Sequence, residues 1–175
     1  MNRDCKCIPE LYEAPEKLNL ENYKNYQDEL YSIIENDFIK HNVYFNGKKV
    51  FLDFNKTVNG KSDTFFHVLC GDKKEYPNLR RAERIKFPRQ IIENYKECDD
   101  CHNKCKIKMF FKKIKNKKRY HLFSEESRYM VVLEDEGKRM KLVTSFYIDK
   151  DYKLYNYKKD YEKYSLTKNK DDATN

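Results

Sequence analysis

The sequence has few of the residues that interrupt secondary structure, with only four Gly and four Pro among 175 residues. It also lacks an apolar run long enough to span a membrane. The first ten residues, MNRDCKCIPE, lack the apolar segment of a signal peptide. We therefore expect a soluble, cytoplasmic protein with no membrane partner.

Aromatic residues decide between a folded and a disordered chain. The mean hydropathy of −1.05 and the 38% of charged residues would by themselves favour disorder. Fifteen Tyr and eleven Phe, with so few Gly and Pro, are instead typical of a folded domain. We predict an N-terminal arm over 1–18, a single domain over 19–166 and a disordered tail over 167–175.

The first half of the domain reads mainly as helices. Apolar residues from Tyr23 to Phe38 recur at helical spacing, which predicts a helix over 20–40 with Asn19 as its cap. A hairpin is expected to turn at Asn46-Gly47, and a second turn follows in KTVNGKSD. The segments LRRAERI and PRQIIENY read as two further helices.

The second half reads mainly as strands. Four extended runs, at 106–114, 118–123, 128–135 and 139–149, predict an antiparallel meander, followed by a last helix over 152–164. Helices followed by a run of strands indicate an α+β fold, with N-terminal helices packed on a small antiparallel sheet.

Basic residues are concentrated at 104–119, KCKIKMFFKKIKNKKR, which has nine basic and no acidic side chains. Interleaved aromatic residues make this strip a candidate for binding RNA, and a solvated, Lys-rich hairpin is the alternative. The candidate RNA-binding residues are Lys106, Lys108, Lys112, Lys113, Lys115, Lys117 and Arg119.

Three of the six cysteines form a compact group. Cys98, Cys101 and Cys105 are spaced C-x2-C-x3-C, and in a reducing compartment such a group favours zinc over disulfides. Cys7 is our choice of fourth ligand for a structural zinc in a stapled loop. Cys5 and His102 remain alternatives.

His67 stands in the middle of the apolar run DTFFHVLCG. A buried histidine needs hydrogen-bond partners, so it is either a satisfied core residue or a functional one. Arg81 and Arg84 follow in RRAERIKFPR, and three- and four-residue spacings bring such side chains to one face of a helix. They suit phosphate binding, or salt bridges on a surface helix.

The order of these motifs resembles a known family. FFHVL, RAERI, an aromatic-Pro-Arg step before IIEN, the strand RYMVVL and the final strand LVTSFYI look like the phage-associated nucleases of the barnase–EndoU–colicin–RelE superfamily. The resemblance covers roughly residues 50–150. It implies a small antiparallel sheet on N-terminal helices and metal-independent RNA cleavage, as in phages, mobile elements and toxin systems.

The resemblance also implies site residues. His67, Arg81 and Arg84 fall on the family's histidine and basic helix, and a Ser or Thr followed two residues later by Tyr falls on the last strand. Ser145 with Tyr147 keeps that pattern, whereas the register of Thr144 loses it. Because alternate residues of a strand share a face, the face argument favours Ser145 with Tyr147.

The sequence thus predicts an endoribonuclease that cleaves by attack of the 2′-OH and leaves a 2′,3′-cyclic phosphate. No cofactor is required for this chemistry, and zinc would be structural. RNA is the expected partner, and an inhibitor or a host protein is a further candidate. The alternative is a non-catalytic module that binds nucleic acid or protein. If His67 is not the proton-transfer residue, His121 is the next candidate.

Overall fold

The computed structural model describes residues 8–15, 20–71, 78–98 and 106–172. The helices are α1 (Leu20–Glu35, continued by a π-helical segment at Asn36–Lys40), α2 (Asp63–Leu69), α3 (Leu79–Ala82), α4 (Phe87–Asn94, continued by a 3-10 turn at Tyr95–Cys98) and α5 (Asp151–Asp172). The strands are β1 (Tyr44–Phe45), β2 (Lys48–Phe51), β3 (Thr57–Val58), β4 (Lys61–Ser62), β5 (Ile107–Ile114), β6 (Lys117–Ser124), β7 (Tyr129–Asp135) and β8 (Met140–Tyr147).

The helix predicted over 20–40 is present, with its last five residues π-helical. Tyr26, Leu30, Ile34 and Phe38 are all buried. Their four-residue spacing puts them on one side of a helix, so α1 presents a continuous apolar face to the core.

Both predicted turns are confirmed, and both use an Asn-Gly pair. Asn46 and Gly47 have φ values of 50° and 75° between the antiparallel strands β1 and β2. Positive φ at both central residues is what a two-residue type I′ turn requires. Asn59 and Gly60 repeat the arrangement between β3 and β4, with φ values of 50° and 74°.

The main sheet has six strands in the order β1-β2-β8-β7-β6-β5. The antiparallel meander from β5 to β8 is confirmed. β2 joins it in parallel, through the pairs Val50–Met140 and Phe51–Lys141. The sheet is therefore mixed, and it spans the predicted domain from its first hairpin to its last strand.

The predicted fold class is wrong. The expectation was a small antiparallel sheet with N-terminal helices packed on it, but the six-stranded mixed sheet dominates the fold and a long C-terminal helix packs on it. There are two physical reasons. β2 and β8 pair although they lie far apart in the sequence, and the second face of the sheet is too apolar to remain exposed. Short sequence patterns reveal neither property.

Each face of the sheet has its own apolar cluster. One combines residues of α1, α2 and α4 with sheet residues such as Val131 and Leu142. The other buries Phe110, Phe123 and Met130 against the tyrosine side of α5. α5 continues to Asp172, past the boundary predicted for the tail.

No helix within the described ranges is both long enough and apolar enough to cross a membrane.

Candidate active site

α2 packs against the part of β8 that β2 leaves unpaired. β2 pairs with β8 only at Met140 and Lys141. Farther along β8, the hydroxyl of Thr144 donates to the carbonyl oxygen of His67 at 3.2 Å. This contact ties the middle of α2 to the strand.

α2 forms because Ser62 caps its N-terminus and because one of its faces is apolar. Ser62 Oγ accepts a hydrogen bond from the backbone N–H of Thr64 at 3.2 Å, which satisfies one of the free N–H groups at a helix start. The helix buries Phe65, Phe66, Val68 and Leu69. His67 lies between these residues, but its side chain is 36% exposed. The side chain of His67 is therefore only partly buried.

Asp63 lies within ion-pair distance of the imidazole of His67, one turn earlier in α2. Its Oδ2 lies 3.3 Å from His67 Nε2, and the Asp63 side chain is 19% exposed. A carboxylate in this position accepts the N–H of one ring nitrogen and thereby leaves the other nitrogen as the proton acceptor. The pair has the geometry of a base held by an orienting acid.

Arg81 holds the end of α2 against β8. Its Nη1 donates to the carbonyl oxygens of His67 and Ser145, both at 2.9 Å. Gly71, with a φ of +71°, ends the helix, and a Cβ at this position would lie 3.0 Å from Arg81 Nη2. The guanidinium lines the cleft described below, but its hydrogen bonds hold backbone in place.

Tyr147 stands at the end of β8 between two guanidinium groups. The Arg84 guanidinium lies 4.6 Å from the centre of the Tyr147 ring, and that of Arg80 lies 5.2 Å from it. Arg84 also donates to the Arg80 carbonyl oxygen and to Glu83. Arg80 is exposed, and within the described residues its guanidinium has no carboxylate partner. Arg80 is thus the guanidinium best placed to receive a phosphate.

Of the two candidate hydroxyls on β8, Thr144 lines the cleft and Ser145 does not, because β8 contains a bulge. Val132 pairs with Thr144, but Leu133 pairs with Leu142, so Val143 is an extra residue. A bulge reverses the side-chain alternation beyond it. Ser145 is consequently fully buried, whereas Thr144 faces the cleft.

A cleft of about 490 Å³ brings several of the predicted residues together. His67, Arg81, Thr144 and Tyr147 all line it. Its other charged residues within the described ranges are Arg80, Arg119, Lys153 and Asp149, so that, with Arg81, four described basic side chains face one described carboxylate. Arg84 lines a separate cleft on the other side of Tyr147. The first cleft is positively charged and therefore suits a phosphate.

Several basic residues of the predicted strip form ion pairs with acidic residues of neighbouring segments. Lys108 pairs with Glu125, Lys112 with Asp160, and both Lys117 and Arg119 with Glu134. Lys106, Lys113 and Lys115 are exposed. Arg119 is the member of the strip that reaches the cleft. A role of the whole strip in RNA binding stays a prediction.

His121, the reserve candidate for proton transfer, is a core residue. It is 9% exposed and stacks on Phe110, with ring centroids 4.8 Å apart. Burial, assisted by the nearby Lys112 charge, lowers its pKa to about 4. His121 is therefore uncharged near neutral pH, and it does not line the cleft.

The predicted zinc ligands fall outside the described part of the chain. This holds for Cys7, Cys101 and Cys105, and for the side chain of Cys98. The described side chains include no group of three or more His, Cys, Asp or Glu that could hold a metal ion. Among the residues that the structure describes, no zinc-stapled loop is seen. Cys70, in the apolar run, is a buried free thiol, and burial raises its pKa.

Comparisons with protein-family models, curated proteins and solved structures gave no match for this chain. The resemblance to phage-associated nucleases therefore stays a prediction, and the site must be judged by its own geometry.

Sequence reasoning gave no role to Asp63, which contacts His67, or to the cleft residues Lys153 and Tyr157. Asp63 could have been found, because its spacing of four residues from His67 becomes a contact as soon as the segment is helical. Lys153 and Tyr157 were assigned to a helix without a role. Only the packing of α5 on the sheet brings them to the cleft.

Proposed function

We propose that the protein is an endoribonuclease that cleaves RNA by attack of a 2′-OH on the adjacent phosphorus. The observation that carries this proposal is the presence of His67, with its Asp63 partner, in the same cleft as Tyr147 and Arg80. A base, a hydroxyl proton donor and a phosphate-binding cation are the groups that this reaction requires.

In this proposal His67 accepts the proton of the 2′-OH. The 2′-oxygen then forms a bond to phosphorus while the bond from phosphorus to the 5′-oxygen breaks. Tyr147 donates its hydroxyl proton to the departing 5′-oxygen, and solvent restores both groups. The positive charge of Arg80 stabilises the additional negative charge that develops on the phosphate during the reaction. The products are a 2′,3′-cyclic phosphate and a free 5′-OH.

The chain's own side chains perform both proton transfers in this scheme, so the chemistry is proposed to be metal-independent. Thr144 and Arg81 act as positioning residues, since both bind the carbonyl oxygen of His67. They fix where the imidazole stands relative to β8.

The alternative function, a non-catalytic binding module, would use the β5–β6 hairpin as its contact surface. The ion pairs of Lys108, Lys112 and Lys117 reduce the positive charge which that surface offers to phosphates. A binding module also has no need of a histidine with a carboxylate partner in the same cleft as a tyrosine. These observations favour the enzyme.

The test is cleavage of single-stranded RNA by the purified protein, with and without a chelator. We expect products that end in a 2′,3′-cyclic phosphate in both conditions and no cleavage of DNA, which lacks the 2′-OH. His67→Ala should slow cleavage by about two to four orders of magnitude. A 2′-O-methyl oligonucleotide, which cannot react, should still bind the variant. Intact RNA, or undiminished cleavage by folded His67→Ala, would refute the proposal.

A further inference from the structure

The cleft does not end at Lys153. A second cleft, of about 420 Å³, follows α5 from there, and Lys153 and Tyr157 line both. The two clefts are therefore adjacent, and together they extend from His67 along α5.

The continuation is basic. Lys112, Lys153, Lys159 and Lys163 line it, and Asp160 is the one carboxylate among its described lining residues. Asp160 pairs with Lys112, which leaves the three lysines of α5. We call Lys153, Lys159 and Lys163 the α5 track.

The lysines of the track are available to a ligand. All three are exposed. Lys153 lies 3.6 Å from Asp149, and Lys159 lies over the Tyr155 ring at 4.6 Å. Lys163 has no carboxylate partner among the residues that the structure describes. None of these contacts encloses an ammonium group.

α5 also holds the track rigidly. Tyr157, Tyr161 and Tyr164 of the same helix pack onto the apolar cluster of the sheet. From Lys153 to Lys163 the helix rises about 15 Å. A row of cations on a packed helix is preorganised for a ligand whose negative charges repeat along its length.

We propose that single-stranded RNA leaves the catalytic cleft along the α5 track, which binds its phosphates outside the scissile bond. This inference rests on the proposed function and names the path of its substrate. Tyr152 and Tyr155, 63% and 56% exposed, lie on the same helix. Exposed rings beside a basic groove offer stacking to unpaired bases. That combination favours RNA over an acidic protein.

The test compares two triple variants with equal loss of charge. The track variant replaces Lys153, Lys159 and Lys163 with Gln, which preserves helix propensity. The control variant replaces Lys49, Lys56 and Lys138 with Gln; these lysines are exposed and line neither cleft. The measured quantity is the Kd for a single-stranded 2′-O-methyl oligonucleotide over a range of salt concentrations.

We expect the track variant to bind about tenfold or more weakly at about 0.15 M salt. Its slope of log Kd against log salt concentration should fall by about 2, because each phosphate contact on a single strand contributes about 0.7. The control variant should bind like the wild type. Lys163→Glu alone, an exposed charge reversal, should weaken binding in the same direction and guards against a folding defect in the triple variant.

The outcomes separate this inference from the proposed function. Equal Kd values and slopes for the two triple variants would overturn the track even if the wild type cleaves RNA. A wild type that binds RNA through the track but never cleaves it would refute the nuclease and leave the track standing. A wild type that binds no RNA would overturn both.

Discussion

Asp63 and His67 form an acid–imidazole pair within a single turn of α2, with Oδ2 3.3 Å from Nε2. If this contact orients the base, Asp63→Asn should lower kcat for RNA by roughly tenfold to a hundredfold, because the amide no longer selects one ring tautomer. Affinity for a 2′-O-methyl oligonucleotide should change little. Asp28→Asn, an equivalent change at a residue paired with Lys61, is the control. Equal rates for the two variants would show that Asp63 has no orienting role.

Two hydroxyls near the end of β8 should behave in opposite ways. Tyr147→Phe removes only the proposed proton donor and keeps the ring between Arg80 and Arg84, so kcat should fall by about two to four orders of magnitude. Ser145→Ala removes a hydroxyl that is fully buried and should leave kcat within about twofold. Rapid-quench cleavage assays measure both. A strong loss of activity in Ser145→Ala, with stability unchanged, would show that Ser145 takes part in the reaction despite its burial.

Arg81 should matter more for stability than for phosphate contact. Arg81→Gln removes the charged donor shared by the His67 and Ser145 carbonyl oxygens, and the loss of these two hydrogen bonds at a partly buried junction should lower the free energy of unfolding by about 2–4 kcal/mol. Urea denaturation at a constant m value measures the change. Arg84→Gln, which loses one backbone carbonyl and a surface carboxylate, should cost less. A stable Arg81→Gln with weakened RNA binding would instead identify a phosphate ligand.

His121 should make the fold sensitive to acid. Its folded-state pKa of about 4 lies below the ordinary value of 6.5, so the unfolded chain binds the proton more readily. The contribution of neutral His121 to stability is complete above pH 6.5 and is lost as the pH falls from 6.5 to 4, by about 3 kcal/mol in total.

His121→Phe keeps a ring against Phe110 and removes this titration. Between pH 7 and pH 4 its free energy of unfolding should therefore fall less steeply than that of the wild type, as measured by urea denaturation at several pH values. Parallel curves would mean that the histidine is protonated in the folded state.

The local features of the fold could be predicted because each depends on a few adjacent residues. The Asn46-Gly47 turn needs only two residues that tolerate positive φ, and α1 needs only its four-residue apolar spacing. The pairing of Val50 with Met140 could not be predicted, because it joins residues far apart in the chain and no short pattern specifies it.

The site was predictable to the same extent. His67, Arg81 and Tyr147 could be selected from motif order, and they do line one cleft. The choice between Thr144 and Ser145 could not, since it depends on a bulge at Val143 that exists only when β8 pairs with β7. The sequence also left open whether DTFFHVL forms a strand or a helical turn, and Asp63 and His67 come into contact only if the segment is helical.

The walls of the cleft come from segments that a ribosome makes at different times. α2 and α3 are translated before β8 and α5, which carry Tyr147 and Lys153. A domain generally folds as a unit, so a growing chain that has not reached α5 lacks one wall of the cleft. If the protein is the nuclease proposed above, cleavage of RNA therefore has to await the synthesis of α5.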